Sequence, residues 1–333
     1  MSVVLVGGSE GSLMQSVIPL LLQKGHTVVG VDNLVRYGRR LHLTDANYNF
    51  IKGDLTDLPT VEMLIKTHNP EYIIQAAALI YGVGGFNKYC ADILGQDVSL
   101  HNNVLRMASK YGVKKVVYIS SSMVYENCPQ DLNVPVTEDM PDNYIAPYTE
   151  YGLSKFTGER LSIAFSKQYN LPYTIWRPFN IITPYEKAEE QLGYSHVFAD
   201  FIKSIIVDGA DTLPILGSGD QIRCFTWIGE VAQAIVDYSF STKTDNKIYN
   251  LGNPEPISMR ELANKIRRIA HEEFRMFNSP ELSFHTIDSY KNDVMVRVPS
   301  VEKAKAELKW EAKMKVNDSI RFCVKEAIDS MGK

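Results

Sequence analysis

The sequence predicts an α/β fold, a doubly wound parallel sheet with helices on both faces and a smaller, discontinuous C-terminal lobe. Three observations carry this expectation. Strand-like and helix-like runs alternate through the first half of the chain, and a glycine-rich turn follows the first strand. Beyond Arg177 the alternation breaks into shorter, turn-rich segments. At 333 residues the chain is long enough for a large domain with a smaller one attached. The expected division is 1–178 with 225–250 returning to it, and 179–224 with 251–333 as the lobe.

V-V-L-V reads as a short buried strand, Gly7, Gly8, Ser9, Glu10 and Gly11 as a turn, and residues 13–24 as a helix with one apolar face. Together they make a Rossmann-type dinucleotide site, where backbone N–H groups and a helix N-terminus face a pyrophosphate. Gly8, Ser9, Glu10 and Gly11 are its candidate residues. Two departures weaken the motif: Met14 stands where a third glycine would pack helix on strand, and Glu10 would repel phosphate unless it points to solvent. The next strand, V-V-G-V, ends at Asp32 and Asn33, about twenty residues beyond the turn. A carboxylate there accepts hydrogen bonds from ribose hydroxyls and repels a 2′-phosphate, favouring NAD over NADP. Arg36, Arg39 and Arg40 follow closely and keep NADP open.

Further strands are N-Y-N-F-I-K-G-D to Asp54, E-Y-I-I-Q-A-A-A from Glu71, K-K-V-V-Y-I-S-S-S from Lys114 and L-P-Y-T-I-W-R-P to Pro178. Amphipathic segments 92–111 and 148–169 lie between them. Ligands of such sheets gather at the strands' carboxyl ends, which adds Asp54, Leu55, Ala76, Ala77, Ala78 and Pro178 to the cofactor candidates. Farther on, 208–219 reads as turns, 225–240 as a strand and helix returning to the sheet, and 258–271 and 301–310 as helices.

The chemistry sits in Y-G-L-S-K. Tyr151 and Lys155 lie four residues apart, on one helical face, after the serine cluster Ser120, Ser121 and Ser122. A phenol with a reference pKa of about 10 needs positive charge beside it to take a proton from an alcohol. Lys155 is positioned to supply it: at ~5 Å and an effective dielectric of ~20, one cation is worth about 3 kcal/mol. This trio implies alcohol oxidation by hydride transfer.

A net charge of −4 and a pI near 6.0 speak against nucleic acid or an anionic membrane as main partner. No apolar run approaches the ~20 residues of a membrane span, and the first residues lack a signal-peptide layout. The expected location is cytoplasmic. Cys90, Cys128, Cys224 and Cys323 are scattered without metal spacing, so reduced thiols and no metal site are expected.

The landmarks V-G-V-D-N-L, G-D-L-T-D, S-S-S-M-V-Y, Y-G-L-S-K, R-P-F-N-I-I-T-P, G-S-G-D-Q-I-R-C-F-T-W-I, Y-N-L-G and A-K-A-E-L-K-W come in order along nearly the whole chain. In this the sequence resembles the extended short-chain dehydrogenase/reductases that act on nucleotide-diphosphate sugars. In layout it is nearest to UDP-galactose 4-epimerase, GDP-mannose 3,5-epimerase and GDP-fucose synthase. The resemblance implies Tyr151 as base, Lys155 on the nicotinamide ribose and Ser121 on the reacting hydroxyl. It places Asp32 on the adenosine ribose, Asp54 near the adenine, and Asn180, Arg223 and Arg297 on the nucleotide or diphosphate, with Ser122, Met123 and His196 also at the substrate. It further implies a homodimer through the helices near Asp92 and Tyr148.

Relatives that dehydrate or decarboxylate carry Asp or Glu at or near Ser122 and Met123, and 3,5-epimerases carry a cysteine at Met123. A thioether moves no proton. Simple redox chemistry at C4 survives both losses. His196 has an acid/base reading and a structural one, and His101 reads as a core residue. Three hypotheses stay open: an NDP-sugar 4-epimerase, an NDP-sugar 4-dehydrogenase or 4-ketoreductase, and a non-enzymatic NAD or nucleotide sensor.

Overall fold

The structure, a computed structural model, describes residues 1–290 and 293–332. Its first half runs β1 (Val3–Gly7), α1 (Met14–Gln23), β2 (Thr27–Asp32), β3 (Tyr48–Lys52), α2 (Leu58–His68), β4 (Tyr72–Gln75), α3 (Val83–Lys88), α4 (Cys90–Lys110), β5 (Lys115–Ile119), α5 (Glu150–Tyr169) and β6 (Tyr173–Pro178). The second half runs β7 (Ile181–Ile182), α6 (Val197–Phe201), β8 (Thr212–Leu216), β9 (Ile222–Cys224), β10 (Thr226–Trp227), α7 (Ile228–Tyr238), β11 (Lys247–Leu251), β12 (Pro256–Ser258), α8 (Met259–Phe274), β13 (Ser283–Ile287), α9 (Glu302–Leu308) and α10 (Val316–Met331).

Seven strands form one parallel sheet in the order β3-β2-β1-β4-β5-β6-β11. Successive side chains of a strand leave opposite faces, so Val4 and Val6 of β1 pack with Ile18, Trp176 and Ile235 while Leu5 packs with Leu64, Ile73 and Val104. Burial on both faces explains the nearly unbroken apolar strands. The strand order reverses between β1 and β4, and the crevice that binds ligands in such sheets opens there. A separate apolar cluster, including Phe198, Ile205, Leu213, Leu262, Ile266 and Ile320, joins α6, β8, α8 and α10.

Three expectations are corrected. Residues 208–219 are not all turn: T-L-P-I-L forms β8, paired in parallel with β13. The helix within 225–240 does return, packing α7 on α1, but its short strand β10 pairs with β7 instead of the main sheet. The strand that returns is β11, beside β6. Finally, α10 was not expected, although Val316, Ile320, Cys323 and Val324 recur at helical spacing and are buried. Among the described residues, no helix is long and apolar enough to cross a membrane.

Candidate active site

One cleft runs from the carboxyl ends of β1, β2 and β4 to the lobe. At its floor Gly8 has φ +74°, and a Cβ there would stand 2.7 Å from the Ala77 backbone, so only glycine lets the two chain segments touch. The N–H groups of the turn are used internally. Gly8 and Ser9 donate to the Val31 carbonyl at 2.9 and 3.2 Å, Glu10 to Asp32 Oδ2 at 3.1 Å, and Gly11 to the Gly8 carbonyl at 3.0 Å. The N–H groups of Ser12, Leu13 and Met14, at the start of α1 and along the cleft, have no acceptor among the described residues. The anion-facing donors thus lie just beyond the expected turn.

Two turn residues need correction. Ser9 is buried against Gly30 and does not line the cleft. Glu10 does not point to solvent: it is buried, accepts from the Leu41 N–H at 2.6 Å and from that of Arg40, and pairs with Arg39. Its charge is thereby compensated inside the wall. Met14 sits in the core beneath the sheet.

Asp32 Oδ1 accepts from the Leu34 N–H at 2.8 Å, and burial holds its carboxyl above the usual range. Asn33, Asp54, Leu55, Ala76, Ala77, Ala78 and Pro178 line the same cleft. The three arginines are engaged elsewhere. Arg39 pairs with Glu10 and lies 3.6 Å from the Phe50 ring centroid. Arg36 and Arg40 reach toward the lobe. A side-chain-free floor and unpartnered helix N–H groups fit a dinucleotide.

Tyr151 is presented by α5, whose cap is Thr149; the Thr149 hydroxyl accepts from Gly152 N–H at 3.1 Å and donates to Glu126 at 2.6 Å. The Tyr151 ring stacks on Phe86 with centroids 5.0 Å apart, and Ser121, whose Oγ accepts from the Met123 N–H at 3.1 Å, lines the cleft with it. Burial pushes the phenol well up, while the Ser121 hydroxyl and the Arg297 charge pull it down. Lys155, the cation expected beside the phenol, has its Nζ 5.8 Å from the Tyr151 ring centroid; it is buried outside the cleft lining and donates to the Ile119 carbonyl at 3.1 Å. Its neighbour Asp97 accepts from the Leu79 N–H at 2.8 Å, and burial lifts that carboxyl to about 6 against the pull of Lys155. His101 is a core residue: its ring stacks on Tyr118 at 4.1 Å, and burial lowers it to about 3, so it is neutral.

The lobe supplies the opposite wall. Arg297 is buried, with Nη1 3.0 Å from Met123 Sδ, Nη2 3.4 Å from Asn180 Oδ1 and Nε without a partner among the described residues. Burial lowers it to about 9, the nearby Arg223 charge adding to the fall. Arg223 meets Asp293 only at 3.4 Å, and burial lowers it too. Two desolvated guanidinium groups so thinly compensated make a strong anion site. His196 faces the cleft half-exposed and donates from Nδ1 to Glu186 at 2.8 Å, whose carboxylate raises the imidazole. Ser122 lines the cleft but is almost fully buried.

Sequence reasoning missed Phe86, Glu126, Asp200 and Tyr290, all in the cleft wall. Glu126 follows Ser121 by five residues, so the cleft does hold a carboxylate near the serines. Thr149 engages it through both N–H and hydroxyl.

Such a sheet, with a serine and a tyrosine lining its switch-point crevice, defines an enzyme of the extended short-chain dehydrogenase/reductase type. The chain is 27% identical to UDP-N-acetyl-alpha-D-glucosaminuronate decarboxylase of Bacillus cytotoxicus, covering 93% of this chain and 95% of that one. It is 26% identical to UDP-glucuronate 4-epimerase of Thermodesulfobacterium geofontis, covering 96% and 94%. Its fold superposes on Thermus thermophilus UDP-glucose 4-epimerase in complex with NAD at a TM-score of 0.82, with 23% identity and 98% of each chain covered. The chain belongs to the NAD dependent epimerase/dehydratase family, which it matches over residues 4–252. NAD is its cofactor.

Proposed function

We propose that the protein is an NDP-sugar 4-epimerase, with 1–178 and 225–250 as cofactor domain and 179–224 and 251–333 as substrate lobe. The observation that carries this reading is one cleft in which Ser121 and Tyr151 stand between a dinucleotide floor and the Arg223–Arg297 anion site. The helix start at Ser12 to Met14 holds the NAD pyrophosphate and Asp32 its adenosine ribose, with Asp54 near the adenine. NAD, when bound, supplies reversible hydride chemistry. Ser121 holds the sugar's 4-hydroxyl; Tyr151 takes its proton as C4 is oxidised and returns it after the ketone turns over. Arg223, Arg297 and Asn180 hold the diphosphate, while Lys155 backs Tyr151. Named relatives that act at C4 of a nucleotide sugar support the reading.

The test is a panel of UDP- and GDP-hexoses and hexuronates in deuterated water. A C4 epimer should form without net NADH and without enzyme-dependent deuterium at C3 or C5, because Met123 replaces the cysteine of a proton-shuttling pair. Tyr151→Phe should lower turnover by roughly two to four orders of magnitude. Stoichiometric NADH with a 4-keto sugar would make it a dehydrogenase instead, and deuterium at C3 or C5 would implicate His196. The resemblance extends the proposal to a homodimer through α4 and α5. Sedimentation as a 37.6 kDa monomer at micromolar concentration would overturn that part.

A further inference from the structure

Three segments of the chain meet above the dinucleotide cleft. Arg36, in the loop after β2, lines the cleft with one edge of its side chain. With the other it donates from Nε to the Ile80 carbonyl at 3.0 Å and from Nη2 to the Tyr194 carbonyl at 3.4 Å, and it pairs through Nη1 with Glu189. Its guanidinium lies against Tyr37 and Tyr81, 4.8 and 4.6 Å from their ring centroids. Arg40 adds a bond to the Tyr185 carbonyl.

The loop after β4 is fastened to the same lobe segment. Gly82 N–H donates to the Tyr194 carbonyl at 2.9 Å and Gly84 N–H to the Gly193 carbonyl at 2.8 Å. A Cβ at Gly82 would stand 2.1 Å from the Ser195 carbonyl oxygen, so glycine is what allows the approach. Tyr185, Glu189 and Tyr194 do not line the cleft, whereas Arg36, Ile80, Tyr81 and Gly82 do. The lobe segment thus turns one side to the cleft, through Glu186, Leu192, Gly193 and Ser195, and Arg36 grips it from its other side. That is the arrangement of a roof over the cofactor, pinned at Arg36.

We propose that Arg36, aided by Arg40, is a clasp that fastens residues 185–195 over the bound dinucleotide and retains it between turnovers. The inference rests on the epimerase reading and deepens it. A redox-neutral cycle has no need to exchange its cofactor, whereas a dehydrogenase must open this roof at every turnover. Arginine suits the position because its planar fork grips two carbonyls and a carboxylate at once while its face packs on aromatic rings; the lysine ammonium has neither property. Dinucleotide exit requires these bonds to break together, so the clasp acts on the off-rate.

The experiment measures NAD release from purified, NAD-loaded wild type, Arg36→Ala and Glu189→Gln, by gel filtration and chromatography of retained nucleotide over time. Both variants should release NAD faster, Arg36→Ala by about tenfold or more. Glu189 is partly exposed and on the outer side, so Glu189→Gln tests the clasp with little risk to folding. Wild-type release rates in Glu189→Gln overturn the clasp, leaving Arg36 as a direct phosphate contact. Wild-type rates in Arg36→Ala overturn it altogether. The sugar assay reports separately: faster release with a 4-keto product and NADH upholds the clasp and rejects the epimerase, whereas a C4 epimer with unchanged release rejects the clasp alone.

Discussion

At the scale of single residues, burial does most of the electrostatic work in the cleft, and each buried charge is set by what its neighbours leave uncompensated. The Tyr151 phenol is pushed up by burial and eased by Ser121 and Arg297, so the Arg297 charge acts on Tyr151 as well as on the lobe side of the cleft. Asp200 is the clearest case of strain from a charge. It is buried, accepts from Gly193 N–H at 2.8 Å, and is lifted to about 7 by desolvation, with Glu186 adding to the rise. A carboxyl whose folded pKa is raised stays protonated in the fold while the unfolded chain ionises, so stability falls as pH climbs from about 4 to about 7 and is level above. Asp200→Asn keeps the acceptor and removes that penalty. Its advantage over wild type in urea unfolding should be absent near pH 4, grow by on the order of 1 kcal/mol per pH unit toward neutrality, and then plateau. A constant difference across that range would refute it. Asp200 was illegible in the sequence because its effect depends on the 193–195 loop folding back over it. Tyr151, Ser121, Asp32 and the two lobe arginines were legible because ordered motifs surround them. The depth of Lys155, and the use of Glu10 by Arg39 and two N–H groups, depend on tertiary contacts no spacing records.

At the scale of elements, the start of α5 matters most, because it sets where Tyr151 stands relative to Ser121. Glu126 follows the serine-bearing turn directly and accepts from the Thr149 N–H at 2.8 Å and its hydroxyl at 2.6 Å, so one carboxylate ties the serine segment to the cap of the tyrosine helix. Glu126→Ala should destabilise the protein by about 1–3 kcal/mol, since it leaves the part-buried Thr149 N–H without its acceptor and the Thr149 hydroxyl proton without one. Thr149→Val should cost about 1 kcal/mol as a lost cap. Because both break one network, the double variant should lose less than the sum; strict additivity in a double-mutant cycle would refute the coupling. The strands of the main sheet were readable as apolar runs with carboxyl-end polar residues. Strand β8 was hidden because the Gly and Asp residues around it give the same signal as a loop, and β10 because two residues carry no periodicity.

At the scale of the whole molecule, the parallel sheet followed from the alternation of strands and helices, whereas its strand order and the source of its last strand did not. Strand β11 comes from residues 247–251 and docks beside β6, which ends at residue 178. Between them lie residues 179–246, including α6, β8 and β9 of the lobe and the segment that roofs the cofactor cleft. The consequence is one of timing. While the chain is being made, β6 waits as an exposed edge strand, a template for wrong pairing, until that intervening stretch has been added. At about 5–20 residues per second the wait lasts roughly 3–14 seconds. Throughout it the seventh strand is missing from the sheet, and Trp176 lacks the Tyr249 ring that stacks on it in the finished protein. The nascent enzyme is therefore most exposed to misassembly after its cofactor turn has been made and before its last strand arrives.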